Sequence, residues 1–367
     1  MSKRILLVGA TGYAGSKLAS LLLKDTVATV ILAGRSRAKL DELQSSLRLQ
    51  DLVHRVELLE LDAANLDSAA LTDFDLLINA TAEGPHNAPL IQACLDHRAD
   101  WIDMQMTNEL LNPPPVLRES IEGAGRCFVI QAGFHPGLIA PLVRYAGQQM
   151  DVMDSAVVGS VIRDRTGLPY TSGFSELVAS FRDYKSETYK DGQWRRLKYA
   201  DYPKLEFEYG FGELLTYPVE MAELRRLTEL MPNLRKTGFF VAGFNWFADY
   251  LVTPLIMLSS RIAPRQTEAP LGRLLSWSTK RFPRPPYGTV VQVDAEGKRD
   301  GQPVRFRLSL FHEDAYVLTA VTTVAMIKQI LNKTVQPGVH LMGLCCDPVQ
   351  MLKDIERNEV SITQQLK

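Results

Sequence analysis

Residues 9–15 read GATGYAG, between the apolar run Arg4–Val8 (RILLV) and the helix-like SKLASLLL of residues 16–23. A lone G-x-x-G-x-x-G is a weak signal, because 24 glycines in 367 residues make chance spacings common. The frame decides its meaning. A short apolar run of the kind buried on both faces, then tight glycines, then apolar residues at helical spacing, reads as strand, loop, helix. In that setting Gly9 permits the sharp turn and Gly12 lets the backbone approach a pyrophosphate. Gly15 lets the helix lie close on the strand. The anion then meets the free N–H groups and the positive end of the helix dipole, with Thr11, Tyr13 and Ala14 completing the loop.

Twenty residues beyond Gly15, where an NAD-specific fold places an acidic residue, the second strand ATVILAGR ends in Gly34-Arg35-Ser36-Arg37. Two guanidinium groups and a hydroxyl favour a 2′-phosphate, so NADP is expected rather than NAD. The alternative is a pair of solvated arginines opening the helix SRAKLDELQSSL.

The alternation continues through HRVELLELD, a short helix over ANLDSAAL, DLLINAT, the helix NAPLIQACLDH, WIDM and RCFVIQAG. Six strand candidates with intervening helices predict an N-terminal Rossmann doubly wound parallel sheet. Ligands of such sheets lie beyond the carboxyl ends of the strands, which directs attention to Asp62 for the adenine side and to Asn79, Ala80 and Thr81 for the nicotinamide side. Each of these is also a residue type that caps strand ends.

The length predicts two or three domains. The near balance of 41 Lys plus Arg against 42 Asp plus Glu gives no footprint for nucleic acid. The four cysteines, Cys94, Cys127, Cys345 and Cys346, fit neither a zinc site nor a disulfide framework. The N-terminal apolar run is too short for a signal peptide, and a cytoplasmic protein is expected.

From about Ala132 the alternation stops. The domain reading is a dinucleotide-binding domain at 1–135, a substrate and dimerisation α+β domain at 136–335 with a mostly antiparallel sheet, and a C-terminal segment at 336–367 returning to the first domain. The hairpin TVVQVDAEG and PVRFRLSLF, joined by KRDGQ, alternates Val304, Phe306, Leu308 and Leu310 with polar residues, as a one-side-buried antiparallel sheet requires. AYVLTAVTTVAMIKQIL (315–331) reads as an apolar helix, and Asp347 and Pro348 as cap and first turn of a last helix. Residues 239–260 hold one charge, Asp249, and as a continuous helix would reach about 33 Å. Asp249 and Pro254 argue for a core or lid helix pair over a bilayer span, with a peripheral membrane contact or a tunnel for a lipid-like substrate as alternatives.

Other chemistries fall away. Cys127 sits inside an apolar strand, where a structural thiol is expected rather than a nucleophile. Zinc-hydrolase and P-loop motifs are absent.

Taken in order, RILLVGATGYAG, VILAGRSRAKLDEL, LELDAANLDS, NATAEGPHNAPLIQACLDHRADWIDM and AGFHPGLIAPL resemble the saccharopine dehydrogenase-like oxidoreductases over residues 3 to 145. The resemblance implies a Rossmann domain, a central α/β domain whose sheet mediates homodimerisation, and NAD(P)-dependent oxidation or reduction of C–N bonds in amino acid derivatives. In AGFHPG this chain has His135 where relatives often carry an acidic or other polar residue. An imidazole just past the sixth strand has the right unperturbed pKa for proton exchange at neutral pH, so His135 is the candidate catalytic residue. Glu83, His86, Asn87, Asp103 and Gln105 are further candidates to line the nicotinamide crevice. Arg163, Arg165 and Tyr170 are candidates to grip a substrate carboxylate. The expected activity is hydride transfer between nicotinamide and a C=N, or an activated C=C or C=O, of a small-molecule substrate. A non-catalytic NADP-binding sensor or scaffold and a lipid-associated membrane-surface protein are the rivals.

Overall fold

The computed structural model of the chain describes residues 2–47, 52–66, 71–106, 109–165, 170–182, 184–262 and 264–367. Its strands, in chain order, are β1 Arg4–Val8, β2 Thr29–Gly34, β3 Val56–Glu60, β4 Leu76–Asn79, β5 Asp100–Asp103, β6 Cys127–Ile130, β7 Val152–Arg163, β8 Glu187–Lys190, β9 Gln193–Arg196, β10 Lys204–Phe207, β11 Gly212–Val219, β12 Lys236–Ala242, β13 Gly288–Arg299, β14 Gln302–His312, β15 Gly338–Leu341 and β16 Ser361–Leu366. They form two sheets in two compact units, Met1–Leu138 with Tyr316–Ile355, and Ile139–Ala315 with Glu356–Lys367.

The first unit holds a seven-stranded sheet in the order β15-β6-β5-β4-β1-β2-β3. Every pairing in it is parallel, with Ile5 opposite Val30 on one side and Leu76 on the other. Ile5, Leu7, Val30, Leu32, Leu76 and Ile78 are wholly buried, as strands covered on both faces must be. The order reverses between β1 and β4, which is the switch point where such sheets bind ligands.

Six parallel strands were expected, and the seventh, β15, is only four residues long. Its sequence GVHL carries too little pattern to separate it from a loop. Helix Ala315–Leu331, expected with the second domain, belongs from Tyr316 to the first unit, where the Thr323 hydroxyl donates to Ala132 O at 2.6 Å. The C-terminal segment divides: β15 and helix Pro348–Glu356 lie in the first unit, capped by Asp347 Oδ1 accepting from Val349 and Gln350 N–H, whereas β16 pairs with β14 in the second. Residues 67–70 of the expected helix over ANLDSAAL lie outside the described residues.

The second unit holds a nine-stranded, mostly antiparallel sheet in the order β10-β11-β12-β7-β13-β14-β16, with the β8-β9 hairpin attached to β12; β12 and β7 run parallel. The β13-β14 hairpin turns at Asp300-Gly301, both in the left-handed region (φ 52° and 76°), which matches the twist of the strands. Residues 239–260 are not one helix. The first part lies in β12, where Phe239 and Phe240 are buried, and the rest forms a π turn at Ala248–Val252 and a helix at Thr253–Ile262. A run apolar on every position fits a strand buried on both faces as well as a helix, and composition alone does not separate them. Among the described residues no helix is long and apolar enough to cross a membrane.

Candidate cofactor and active site

The glycine loop follows β1. Gly9 has φ +82°, a conformation L side chains rarely adopt, and its N–H and that of Ala10 both donate to Ala33 O of β2 at 3.1 Å. Gly12 N–H closes the turn onto Gly9 O at 3.0 Å. A Cβ on Gly15 would stand 2.2 Å from Gly9 O and 2.9 Å from Ala10 Cα, so only glycine lets helix Tyr13–Asp25 start this close to the strand.

That helix begins at Gly12 with no side-chain cap and no acidic residue in its first turn, and Gly12 is exposed. Its positive end therefore faces outward without a counter-charge of its own. The cradle fits a dinucleotide pyrophosphate: the close approach at Gly12 is open, and a Cβ there would occupy it. Tyr13 flanks the loop, edge-on to Tyr316 at 4.7 Å and beneath the Lys17 ammonium at 5.5 Å. Thr11 packs its side chain against Gly34 at the end of β2.

Of the residues expected at the ribose end, Arg35 is exposed and, among the described residues, makes no hydrogen bond or ion pair. Ser36 caps helix Arg37–Ser46 by accepting from Lys39 N–H at 3.4 Å. Arg37 is engaged by Asp41 one turn along the helix, at 3.1 Å. Asp62 serves as the cap of a short 3₁₀ turn, accepting from Asn65 at 2.8 Å and Ala64 N–H at 3.2 Å. These bonds, Asn65 first, hold its carboxyl below the usual range, with Arg35 and His86 adding smaller Coulomb contributions.

Beyond the carboxyl ends of β4, β5 and β6 lies a buried polar network. Asn79 donates to Asn87 Oδ1 at 2.9 Å; Asn87 donates to Gln105 Oε1 at 2.8 Å; Gln105 returns to Asn87 Oδ1 and to Thr81 O, both at 3.2 Å. Asp103 accepts from Trp101 Nε1 at 2.8 Å and from the N–H groups of Gln105 and Gln131. Asn79, Asn87, Asp103 and Gln105 are all buried. Thr81 connects the network to the surface: its N–H and hydroxyl donate to Asn79 Oδ1, the hydroxyl at 2.6 Å, and His86 Nε2 is 2.7 Å from the same hydroxyl. A hydroxyl that gives its one proton to Asn79 has only lone pairs left, which assigns the proton of this bond to His86 Nε2.

The glycine loop and this network meet. A Cβ on Gly9 would come within 2.9 Å of Ala80 O and 3.0 Å of Thr81 Cγ2. Gly9 of the loop thus lies against Ala80 and Thr81 at the switch point, and Thr81 carries the contact on to His86.

His135 does not have the expected properties. Its Nε2 is enclosed and its ring lies 3.7 Å from that of Phe134. Burial pushes its pKa down to about 4, so the ring stays neutral at neutral pH and is a poor proton donor there. Gln131, which sequence reading passed over, stands in the left-handed region (φ 57°) at the end of β6, with Nε2 donating to Met106 O at 2.6 Å. Such backbone is strained for a non-glycine and clusters at functional sites. Its place, one residue past a strand in RCFVIQAG, was the available signal.

In the second unit, the three candidate carboxylate-gripping residues do not share partners. Arg163 is buried, over the Phe211 ring at 5.4 Å, and donates to Pro285 O. Arg165 is exposed, while Tyr170 bonds Ser175 at 2.7 Å beneath Arg273. Burial pushes Asp249 up to about 6, although the Phe244 N–H bond and the nearby Arg163 act to lower it. Cys127 is buried and its thiol is pushed up to about 12 by burial, as befits a structural thiol.

Residues 5–122 match the family model of the saccharopine dehydrogenase NADP binding domain. Carboxynorspermidine synthase of Vibrio cholerae is 24% identical over 311 residues, covering 76% of this chain and 73% of the relative. Carboxynorspermidine synthase of Vibrio alginolyticus is 24% identical over 234 residues, 58% of this chain and 56% of the relative. Apo saccharopine dehydrogenase (L-Glu forming) from Saccharomyces cerevisiae shares the fold with a TM-score of 0.69 over the whole of both chains, at 13% identity. With the glycine loop and the two-sheet architecture, these likenesses make residues 5–122 a saccharopine dehydrogenase-type NADP-binding domain, in a chain that shares the saccharopine dehydrogenase fold.

Proposed function

We propose that the protein reduces a C=N, or oxidises the corresponding C–N, in a small amino-acid-derived substrate, using NADP held on the GATGYAG loop. The observation that carries this reading is the meeting of the loop with the Thr81–His86 pair, where Gly9 has no room for a Cβ. The names of the relatives, carboxynorspermidine synthase and saccharopine dehydrogenase (L-Glu forming), are consistent with an amino-acid-derived amine.

When bound, NADPH would supply the hydride for reduction and NADP+ would accept it for oxidation, while the protein orients the cofactor and manages one proton. Gly12 and the N-terminus of helix Tyr13–Asp25 hold the pyrophosphate; Arg35 and Ser36 take the 2′-phosphate. His86 handles the proton. With Nε2–H committed to Thr81, Nδ1 is the nitrogen left to give or take it, and Asn79 fixes the Thr81 hydroxyl so that the ring keeps its orientation.

The test is NADPH consumption by the purified chain over a panel of amino acids paired with aldehydes or 2-oxo acids. A substitution His86→Gln should lower kcat by about 100-fold or more, with NADPH affinity kept. NADPH binding without turnover on any pair would instead support the non-catalytic sensor.

A further inference from the structure

We propose that the helical segments of residues 246–262 and 264–281 form a docking face for an anionic lipid surface, a property separate from the redox site. Among the described residues, eight of the sixteen exposed large hydrophobic side chains fall between Trp246 and Trp277. Ala248, Val252 and Ile256 point inward, packing with Phe174, Val178 and Leu275. The opposite stripe, Leu251, Leu255, Leu258 and Ile262, is exposed, Ile262 by 75%, and recurs at spacings of four, three and four residues. An isolated water-soluble helix carries polar residues on that side. This one is apolar on both, and contiguous apolar patches of this kind mark interaction sites.

Two features identify the occupant as a bilayer surface. Trp246, Phe247, Trp277 and Phe282 form a packed aromatic group with ring centroids 5.2 to 5.8 Å apart, which holds both Trp rings about half exposed. Tryptophan at a rigid, half-exposed position suits the headgroup boundary, where one end is apolar and the other wet. The second feature is charge. Residues 243–287 carry six Lys or Arg against two acidic residues, in a chain of net charge −1. Neither acid offsets the surplus at the surface: Asp249 turns inward to accept from Phe244 N–H, and Glu268 is paired with Arg182. Lys280, Arg281 and Arg284 are exposed beside the aromatic group. An apolar face with aromatic anchors and a basic flank is the composition of an interfacial helix. It also disfavours a second copy of the chain as occupant, since pairing the same patch brings like charges together.

The test is co-sedimentation of the full-length protein with neutral phosphatidylcholine vesicles and with vesicles containing phosphatidylglycerol, comparing wild type with Leu255→Asp/Leu258→Asp. Both positions are exposed, so the variant should keep its fold, which NADPH titration and circular dichroism check. The expected result is binding of the wild type to the phosphatidylglycerol vesicles and a loss on the order of tenfold or more per substitution in the variant, with NADPH affinity unchanged. No vesicle binding by the wild type, equal binding to both vesicle types, or unchanged binding by the variant would each overturn the proposal. A wild-type dimer that the variant converts to monomer, without vesicle binding, would assign the face to a second copy and overturn it too.

Discussion

Gly12→Ala and Gly15→Ala add the same methyl group three residues apart, and the loop geometry separates their effects. At Gly15 the new Cβ would lie 2.2 Å from Gly9 O, more than 1 Å inside the optimal separation of about 3.5 Å, and its neighbours are backbone atoms that no rotamer change can move. The helix must shift away from β1. Overpacking of this severity costs about 3 kcal/mol, at the upper end of what such insertions show, equivalent to a fall in Tm of about 6–12 °C for a unit of this size. At Gly12 the nearest atom to the new Cβ is Gly9 O at 3.2 Å, and the backbone (φ −74°, ψ 166°) accepts any residue. Stability should change by about 0.5 kcal/mol, the difference between glycine and alanine at a helix cap. The methyl would instead stand where the pyrophosphate approaches, weakening NADPH by about tenfold or more. Thermal melts with and without NADPH, together with calorimetric titration, read both quantities. Equal destabilisation by the two variants, or wild-type NADPH affinity in Gly12→Ala, would refute the assignment of separate steric and ligand roles.

Arg35→Ala should weaken NADPH by about 10-fold or more, the worth of a charge-assisted bond to a phosphate, and leave NADH unchanged; Arg37→Ala, already engaged by Asp41, should do less, and equal losses for both cofactors would sink the 2′-phosphate role of Arg35. His135 is held neutral down to about pH 4, so the unfolded chain binds its proton first and stability is lost as pH falls from about 6.5 towards 4. His135→Asn should flatten unfolding curves across that window, and an unchanged slope would argue against the buried neutral ring. Asp249 has the opposite sign: its carboxyl, raised to about 6, keeps its proton longer in the folded state, so its contribution is present at low pH and fades as pH rises through 6. Asp249→Asn, which retains an oxygen for Phe244 N–H, should remove this fading in urea titrations between pH 4 and 7; identical profiles for variant and wild type would count against it.

The sequence by itself determined the first domain, because strand, glycine loop and helix are local: RILLV, GATGYAG and SKLASLLL announce a βα unit through composition and spacing, and Gly9 and Gly15 are required by atoms within the unit or one strand away. It also determined the β13-β14 hairpin, whose period-two pattern and Asp300-Gly301 turn are carried in adjacent residues. Tertiary structure alone decided the rest. Burial turned His135 from a neutral-pH acid into a ring that stays neutral down to about pH 4, and no residue within the AGFHPG motif signals that desolvation. The bond between Thr81 and His86 arises where a strand end and a helix start converge, and the network from Asn79 to Gln105 spans 26 positions of sequence. Residues 239–260 gave the same apolar signal for a strand and for a helix, since both bury such side chains. Local sequence sets φ, ψ and periodicity, whereas desolvation, side-chain partnership and the choice of which apolar face meets water depend on residues that only the folded chain brings together.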